Sequence, residues 1–134
     1  MKEPVWIRSD TVYAIHDSQL SQHGGSDGCR DAGLIESALA RPRNLHAYNE
    51  HATIPELAGA YCYGLAKNHG FVDGNKRVSA VVCELFLELN GFRFTADDAE
   101  WLQVMLTVAD GSLDEPALAQ WLAQHVSAID ARHA

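Results

Sequence analysis

The chain has 134 residues, of which 47% are hydrophobic, and this composition is typical of a single soluble globular domain spanning residues 1–134. The formal net charge of −8 argues against general nucleic-acid binding, and no apolar run approaches the roughly 20 residues that a membrane-spanning helix needs. Three cysteines without CxxC spacing, behind an N-terminus without a signal-peptide core, indicate a reduced cytoplasmic setting.

Apolar periodicity predicts two helices in the first part of the chain. The first is predicted from about Asp10 to His23. Asp31 is the predicted N-cap of the second helix, which Pro42 is expected to end. The stretch 43–52 that follows is polar and aromatic-bearing, and it is typical of a loop.

The second part of the chain predicts four more helices. Residues 53–56, Thr-Ile-Pro-Glu, form a capping box that predicts a third helix to about Asn68. A run from Val78 to Asn90 is apolar almost all round, which predicts a buried central helix. Two further helices are predicted after 95–98 and after 112–115, the last reaching Val126, and the tail beyond residue 128 is expected to fray. The predicted fold is all-α, a bundle of about six helices.

The polar segment 69–77, HGFVDGNKR, joins the third and fourth predicted helices. Its glycines punctuate a loop, and Asn75 is a predicted N-cap for the helix that follows. The backbone N–H groups at a helix start form an anion site, to which Lys76 and Arg77 add two cations. Gly74 lets a phosphate approach the backbone closely. Because His69 and Asp73 lie on the same loop, the segment indicates phosphate chemistry.

The pattern His69-x-Phe71-x-Asp73-Gly74-Asn75-Lys76-Arg77 resembles the signature loop of the Fic/Doc superfamily, and its Asn-Lys-Arg ending resembles the death-on-curing (Doc) branch. The segment 31–42 also resembles the upstream helix of Doc-type chains. The resemblance implies the Fic/Doc fold, with ATP and Mg²⁺ as cofactors. It further implies that 43–52 is a short flap before the third helix, beside the active site, although an ordinary surface loop fits these residues equally well.

The candidate roles follow from the chemistry that such a reaction needs. His69 is the candidate general base, because imidazole exchanges protons near neutral pH. Asp73 is the candidate Mg²⁺ ligand, with a charge partner of the helix N-terminus as the alternative. The candidate catalytic residues are His69, Asp73, Lys76 and Arg77, and the candidate phosphate-binding or ATP-binding residues are Gly74, Asn75, Lys76 and Arg77. For one of the two cations, an ordinary surface role is the alternative. The remaining histidines lack such neighbours and are interpreted as ordinary: His16, His23, His46, His51, His125 and His133.

Two departures from the wider superfamily bear on the reaction. Most AMP-transferring Fic proteins resemble His-Pro-Phe-x-(Asp/Glu)-Gly-Asn-Gly-Arg, whereas this chain has Gly70 and Lys76 in place of the proline and the second glycine. In Doc-type proteins this variation accompanies a reversed nucleotide that presents its γ-phosphate. The resemblance therefore implies a protein Ser/Thr kinase that phosphorylates a threonine of translation elongation factor Tu and inhibits translation. Transfer of AMP to a protein hydroxyl is one alternative, and a non-catalytic binding module is another.

The resemblance also implies a partner protein. Many Fic proteins carry an inhibitory Ser/Thr-x-x-x-Glu-Gly/Asn motif, and no glutamate in this sequence completes it. We therefore expect an antitoxin to act in trans, with a segment that covers the active-site groove and pairs with Arg77. Neither a nucleic acid nor a membrane is expected as a partner.

Overall fold

Six α-helices and one two-stranded antiparallel sheet make up the computed structural model, which describes residues 3–129. The elements in chain order are α1 (Ser9–His23), α2 (Ala32–Tyr48), α3 (Ile54–Asn68), α4 (Asn75–Leu89), β1 (Phe92–Phe94), α5 (Asp98–Ala109), α6 (Glu115–Gln124) and β2 (Val126–Ala128). The predicted all-α bundle of six helices is confirmed. Among residues 3–129, no helix combines the length and the apolar character that crossing a membrane requires.

Helix α3, rather than α4, forms the centre of the bundle. Ten of its fifteen residues are buried, against six of fifteen in α4, which the apolar run predicted as the central helix. Two glycines let its neighbours approach closely. A Cβ on Gly59 would lie 3.6 Å from Ala119 of α6, and one on Gly64 would lie 2.8 Å from Arg41 of α2. The loop that follows α3 is therefore attached to the most buried element of the fold.

The predicted helix starts at Asp31 and Thr53 are both confirmed. The Asp31 side chain accepts hydrogen bonds from the backbone N–H groups of Gly33 and Leu34. Thr53 Oγ1 accepts from Glu56 N at 3.2 Å, and the Glu56 carboxylate accepts from Thr53 N at 3.0 Å, which completes a capping box. Each such cap stabilises its helix by about 1 kcal/mol, so the starts of α2 and α3 are fixed locally.

Helix α2 continues through Pro42 to Tyr48, so the prediction that it ends at Pro42 is wrong. Proline removes one helical hydrogen bond, but here its ring is buried in the core. The following turns also pack inward, because Leu45 contacts the core and His46 lies edge-on to Trp6 at 5.6 Å. This burial offsets the lost hydrogen bond. The predicted flap over 43–52 is consequently reduced to a short connection at 49–53.

The small sheet joins the end of the chain to the segment after α4. Strand β1 pairs antiparallel with β2, with Phe92 opposite Ala128 and Phe94 opposite Val126. Residues 126–128 therefore form a strand, although the last helix was predicted to reach Val126. The expectation of a frayed tail mainly concerns 130–134, which lie outside the described residues.

Candidate active site

The loop between α3 and α4 is held against the segment that precedes α2. The carbonyl of Gly70 accepts hydrogen bonds from Arg30 N at 2.8 Å and from Asp31 N at 3.0 Å. Two residues further along the loop, Val72 N donates to the carbonyl of Gly28 at 3.1 Å. These backbone contacts fix the first half of the loop in an extended form.

Asn75 holds the second half of the loop, and it does so differently from the prediction. The N-cap of α4 is Gly74, with a left-handed φ of 82° and no side-chain cap, so the predicted Asn75 N-cap is wrong. The Asn75 side chain instead reaches back to Phe71, accepting from its N–H at 3.1 Å and donating to its carbonyl at 3.0 Å. Since Phe71 is itself buried, this paired contact ties the start of α4 to the core.

His69 occupies a backbone conformation that residues with a side chain rarely adopt. It is the C-cap of α3, with φ 53° and ψ 45°, and among residues 3–129 it is the only non-glycine residue with positive φ. The left-handed region costs about 1–2 kcal/mol for a residue with a Cβ. Its side chain is exposed and lines the cleft described below. Strain of this kind clusters at functional sites.

The carboxylate of Asp73 is exposed but held in place by two backbone N–H groups. Its Oδ2 accepts from Ser26 N at 3.2 Å, and its Oδ1 accepts from Gly74 N at 2.8 Å. These hydrogen bonds, that from Ser26 first, lower the pKa of Asp73, and the charge of Arg77 adds a smaller effect. The group is therefore ionised at neutral pH. Gly25 lies so close that a Cβ there would be 2.8 Å from Asp73 Oδ2.

A cleft of about 820 Å³ opens over this loop and the first turn of α4. Its wall contains all six candidate site residues predicted from the sequence: His69, Asp73, Gly74, Asn75, Lys76 and Arg77. The rest of the wall comes from Val72, from the end of α1 with its glycine turn, and from the end of α5: His23, Gly24, Gly25, Leu106, Ala109 and Asp110. The structure thus brings the candidates together on one side of a single cleft.

The α4 side of the cleft is electropositive. The backbone N–H groups of Asn75, Lys76 and Arg77 have no hydrogen-bond acceptor among residues 3–129. The side chains of Lys76 and Arg77 are exposed, and neither forms a salt bridge with any described residue. A helix N-terminus with three available N–H groups and two cations suits a phosphate. The neighbouring Asp73 carboxylate suits the Mg²⁺ that accompanies nucleotide phosphates.

The sequence did not predict that His16 contacts this loop. His16, interpreted as ordinary, is only 3% exposed and lies beneath the loop. Its Nε2 is 3.0 Å from the carbonyl oxygen of Asp73, and its ring stacks on Phe71 with centroids 3.9 Å apart. The signal available was its spacing: Val12 and His16 share the buried face of α1, where a polar side chain needs a partner.

Comparison with known proteins connects this chain to one protein family. The model of the Fic/DOC family matches residues 6–87. The chain is 30% identical over 116 residues to "Protein kinase doc" of Escherichia phage P1, an alignment that covers 87% of this chain and 91% of the phage protein. It is 35% identical over 99 residues to "Toxin Doc" of Mycolicibacterium smegmatis, covering 70% of this chain and 76% of that toxin.

The chain therefore belongs to the Fic/DOC family. Within that family it is a Doc-like toxin, since both relatives carry the name Doc. The resemblance drawn from the loop sequence is confirmed, and the expectation of a kinase agrees with the name of the phage protein.

Proposed function

We propose that this chain is the toxin of a toxin–antitoxin pair and transfers the γ-phosphate of ATP to a serine or threonine hydroxyl of a target protein in the cytoplasm. The observation that carries the proposal is the convergence in one cleft of an exposed imidazole, a fixed carboxylate and an electropositive helix start. Phosphoryl transfer depends mainly on positioning and on neutralising phosphate charge, and these groups supply both.

His69 is the proposed general base. As the acceptor oxygen bonds to the γ-phosphorus and ADP leaves, the imidazole takes the proton of the hydroxyl. Lys76, Arg77 and the N–H groups of the first turn of α4 bind the phosphate oxygens and stabilise their negative charge. Because these N–H groups have no acceptor among the described residues, they are available to the nucleotide.

Asp73 is the proposed ligand of Mg²⁺. When bound, the ion neutralises phosphate charge that the two side-chain cations leave uncompensated. The chain prepares the carboxylate for this role, since the N–H groups of Ser26 and Gly74 hold both of its oxygens and keep it ionised.

Two residues favour phosphate transfer over AMP transfer. Lys76 places a long cation in the first turn of α4, at the wall of the cleft, where AMP-transferring relatives have glycine. Gly70, in the proline place, has no room for a side chain, because a Cβ would lie 2.8 Å from Cγ1 of the buried Ile35. A proline at this position would therefore clash with Ile35 in the present loop conformation. We propose that the nucleotide presents its γ-phosphate here.

The proposed partners are a translation factor and an antitoxin. Elongation factor Tu is proposed as the target on the basis of the family resemblance. For the antitoxin, a groove of about 490 Å³ adjoins the cleft between α4 and α5. It contains Leu102 and Leu106, which are 62% and 42% exposed, beside Lys76 and Arg77. An amphipathic segment with an acidic residue would suit these surfaces.

Intact-mass spectrometry of elongation factor Tu, incubated with the purified protein, Mg²⁺ and ATP, tests the proposal. We expect a gain of one phosphoryl group, and none with His69→Ala as the matched control. A gain of one AMP group would assign the chain to AMP transfer instead. No gain on this target, together with persistent growth arrest by His69→Ala in cells, would favour a non-catalytic binding module.

A further inference from the structure

We propose that His16 is a positioning residue of the active site, which locks the peptide group between Asp73 and Gly74 in the orientation that the Asp73 carboxylate requires. The inference builds on the proposed function, because it assigns a use to the fixed carboxylate. The side chain of His16 lies on α1, outside the signature loop, and touches that loop at two points.

The first contact fixes the protonation of one ring nitrogen. A carbonyl oxygen only accepts hydrogen bonds, so the Nε2 of His16, 3.0 Å from Asp73 O, must carry a proton and donate it. This nitrogen is therefore committed to the loop and is not available as a general base. The second contact is the stacking of the ring on Phe71, with planes inclined by only 10°. Together they attach the loop to α1 on both sides of the exposed Val72.

The peptide group that His16 holds also carries a donor to the active-site carboxylate. The carbonyl of Asp73 and the N–H of Gly74 belong to one planar trans peptide group, so they point in opposite directions. While His16 binds the carbonyl, the N–H faces the other way and donates to Asp73 Oδ1 at 2.8 Å. A peptide flip would remove this donor from the carboxylate, which Ser26 N alone would then hold.

The backbone at this point would permit such a flip without the histidine. Gly74 has φ 82°, and glycine adopts positive and negative φ almost equally readily. Steric hindrance at Gly74 therefore does not select one orientation of the 73–74 peptide group. The hydrogen bond from His16 selects it, and so defines the position of the carboxylate proposed to bind Mg²⁺.

Three variants of the full chain separate positioning from simple core packing. His16→Phe keeps a flat ring on Phe71 but removes the donor. His16→Gln restores an amide N–H at about the reach of Nε2. Val12→Ala, at a fully buried position one turn earlier on α1, is the matched control for loss of core packing. If the Phe variant does not fold, His16→Leu takes its place as the variant without a donor.

Two measurements are made on each variant. The first is the ¹H–¹⁵N resonance of the Gly74 amide, with and without Mg²⁺ and the non-hydrolysable analogue adenosine 5′-(β,γ-imido)triphosphate. The second is the kcat and the KM for ATP, with the Mg²⁺ concentration for half-maximal rate. We expect His16→Phe to move the Gly74 resonance and to lower kcat or apparent Mg²⁺ affinity about 10–100-fold, as loss of an outer partner of a metal ligand does. His16→Gln should recover most of both, and Val12→Ala should lower the Tm without either effect.

A wild-type Gly74 resonance and wild-type Mg²⁺ dependence in the variant without a donor would overturn the proposal. Equal impairment of the Phe and Gln variants would also overturn it, because packing would then explain the effect. If the wild-type protein transfers no phosphate at all, the proposed function fails, while the Gly74 resonance and the binding of the analogue still test the role of His16.

Discussion

Replacing His69 by glycine should stabilise the protein while it removes the proposed base. The backbone of His69 is left-handed, which costs about 1–2 kcal/mol with a Cβ. Glycine relieves this strain, but it also loses more conformational entropy on folding, which lowers the free energy of unfolding by about 0.5–1 kcal/mol. The exposed imidazole makes no hydrogen bond to the described residues, so little else is lost. We expect a net stabilisation of about 0.5–1 kcal/mol, equivalent to a Tm increase of about 2–4 °C in a domain of this size.

The assay pairs calorimetric Tm with phosphoryl transfer to the target, and His69→Ala is the matched control. Alanine also removes the imidazole but keeps a Cβ in the left-handed region, so its Tm should not rise. Both variants should be inactive. A Tm for His69→Gly at or below that of His69→Ala would refute the assigned backbone strain, and full activity in either variant would refute the role of the base.

Three further predictions concern the glycines and the carboxylate around the loop. Gly70→Ala should cost about 1–3 kcal/mol in urea unfolding, because its Cβ would overpack against the buried Ile35, and a loss below about 0.5 kcal/mol would contradict this packing. Gly25→Ala should raise the Mg²⁺ concentration for half-maximal activity by displacing the Asp73 carboxylate. Gly24→Ala is the control, because Gly24 also has positive φ but has open space around it, and it should leave this Mg²⁺ concentration unchanged. An equal increase in both variants would show that backbone strain alone is responsible. Because the pKa of Asp73 is lowered on folding, its ionised form stabilises the native state above the ordinary aspartate pKa of about 3.9. The Tm advantage of wild type over Asp73→Asn should therefore be present at pH 7 and disappear as the pH falls through the lowered pKa; an advantage that persists at lower pH would contradict it.

Local signals in the sequence predicted the starts of α2 and α3 and brought the residues of the candidate site to attention. The caps at Asp31 and Thr53 depend on residues within three positions, so the sequence contains everything that decides them. The candidate residues of the cleft are equally local, because one short loop and the helix turn after it carry them all. Segment 69–77 could therefore be proposed as the candidate site before any tertiary contact was known.

The predictions that failed depended on contacts between distant segments. Pro42 normally ends a helix, but burial of its ring and of the turns after it keeps α2 intact. Asn75 is a good N-cap by type, yet its side chain is used to bind Phe71, because the loop folds back over that residue. His16 meets Asp73 across 57 positions, and only the docking of α1 against the loop brings them together.

Labelling the phosphates of ATP separately distinguishes phosphoryl transfer from AMP transfer. Parallel incubations of wild type and Lys76→Gly, with ATP labelled at the γ- or the α-phosphorus, report which group reaches the target protein. We expect wild type to transfer only the γ-label, and we expect Lys76→Gly to lose this transfer because the phosphates lose a cation at the start of α4. Transfer of the α-label by wild type would contradict the proposed kinase activity, because it would make this chain an AMP transferase despite Lys76.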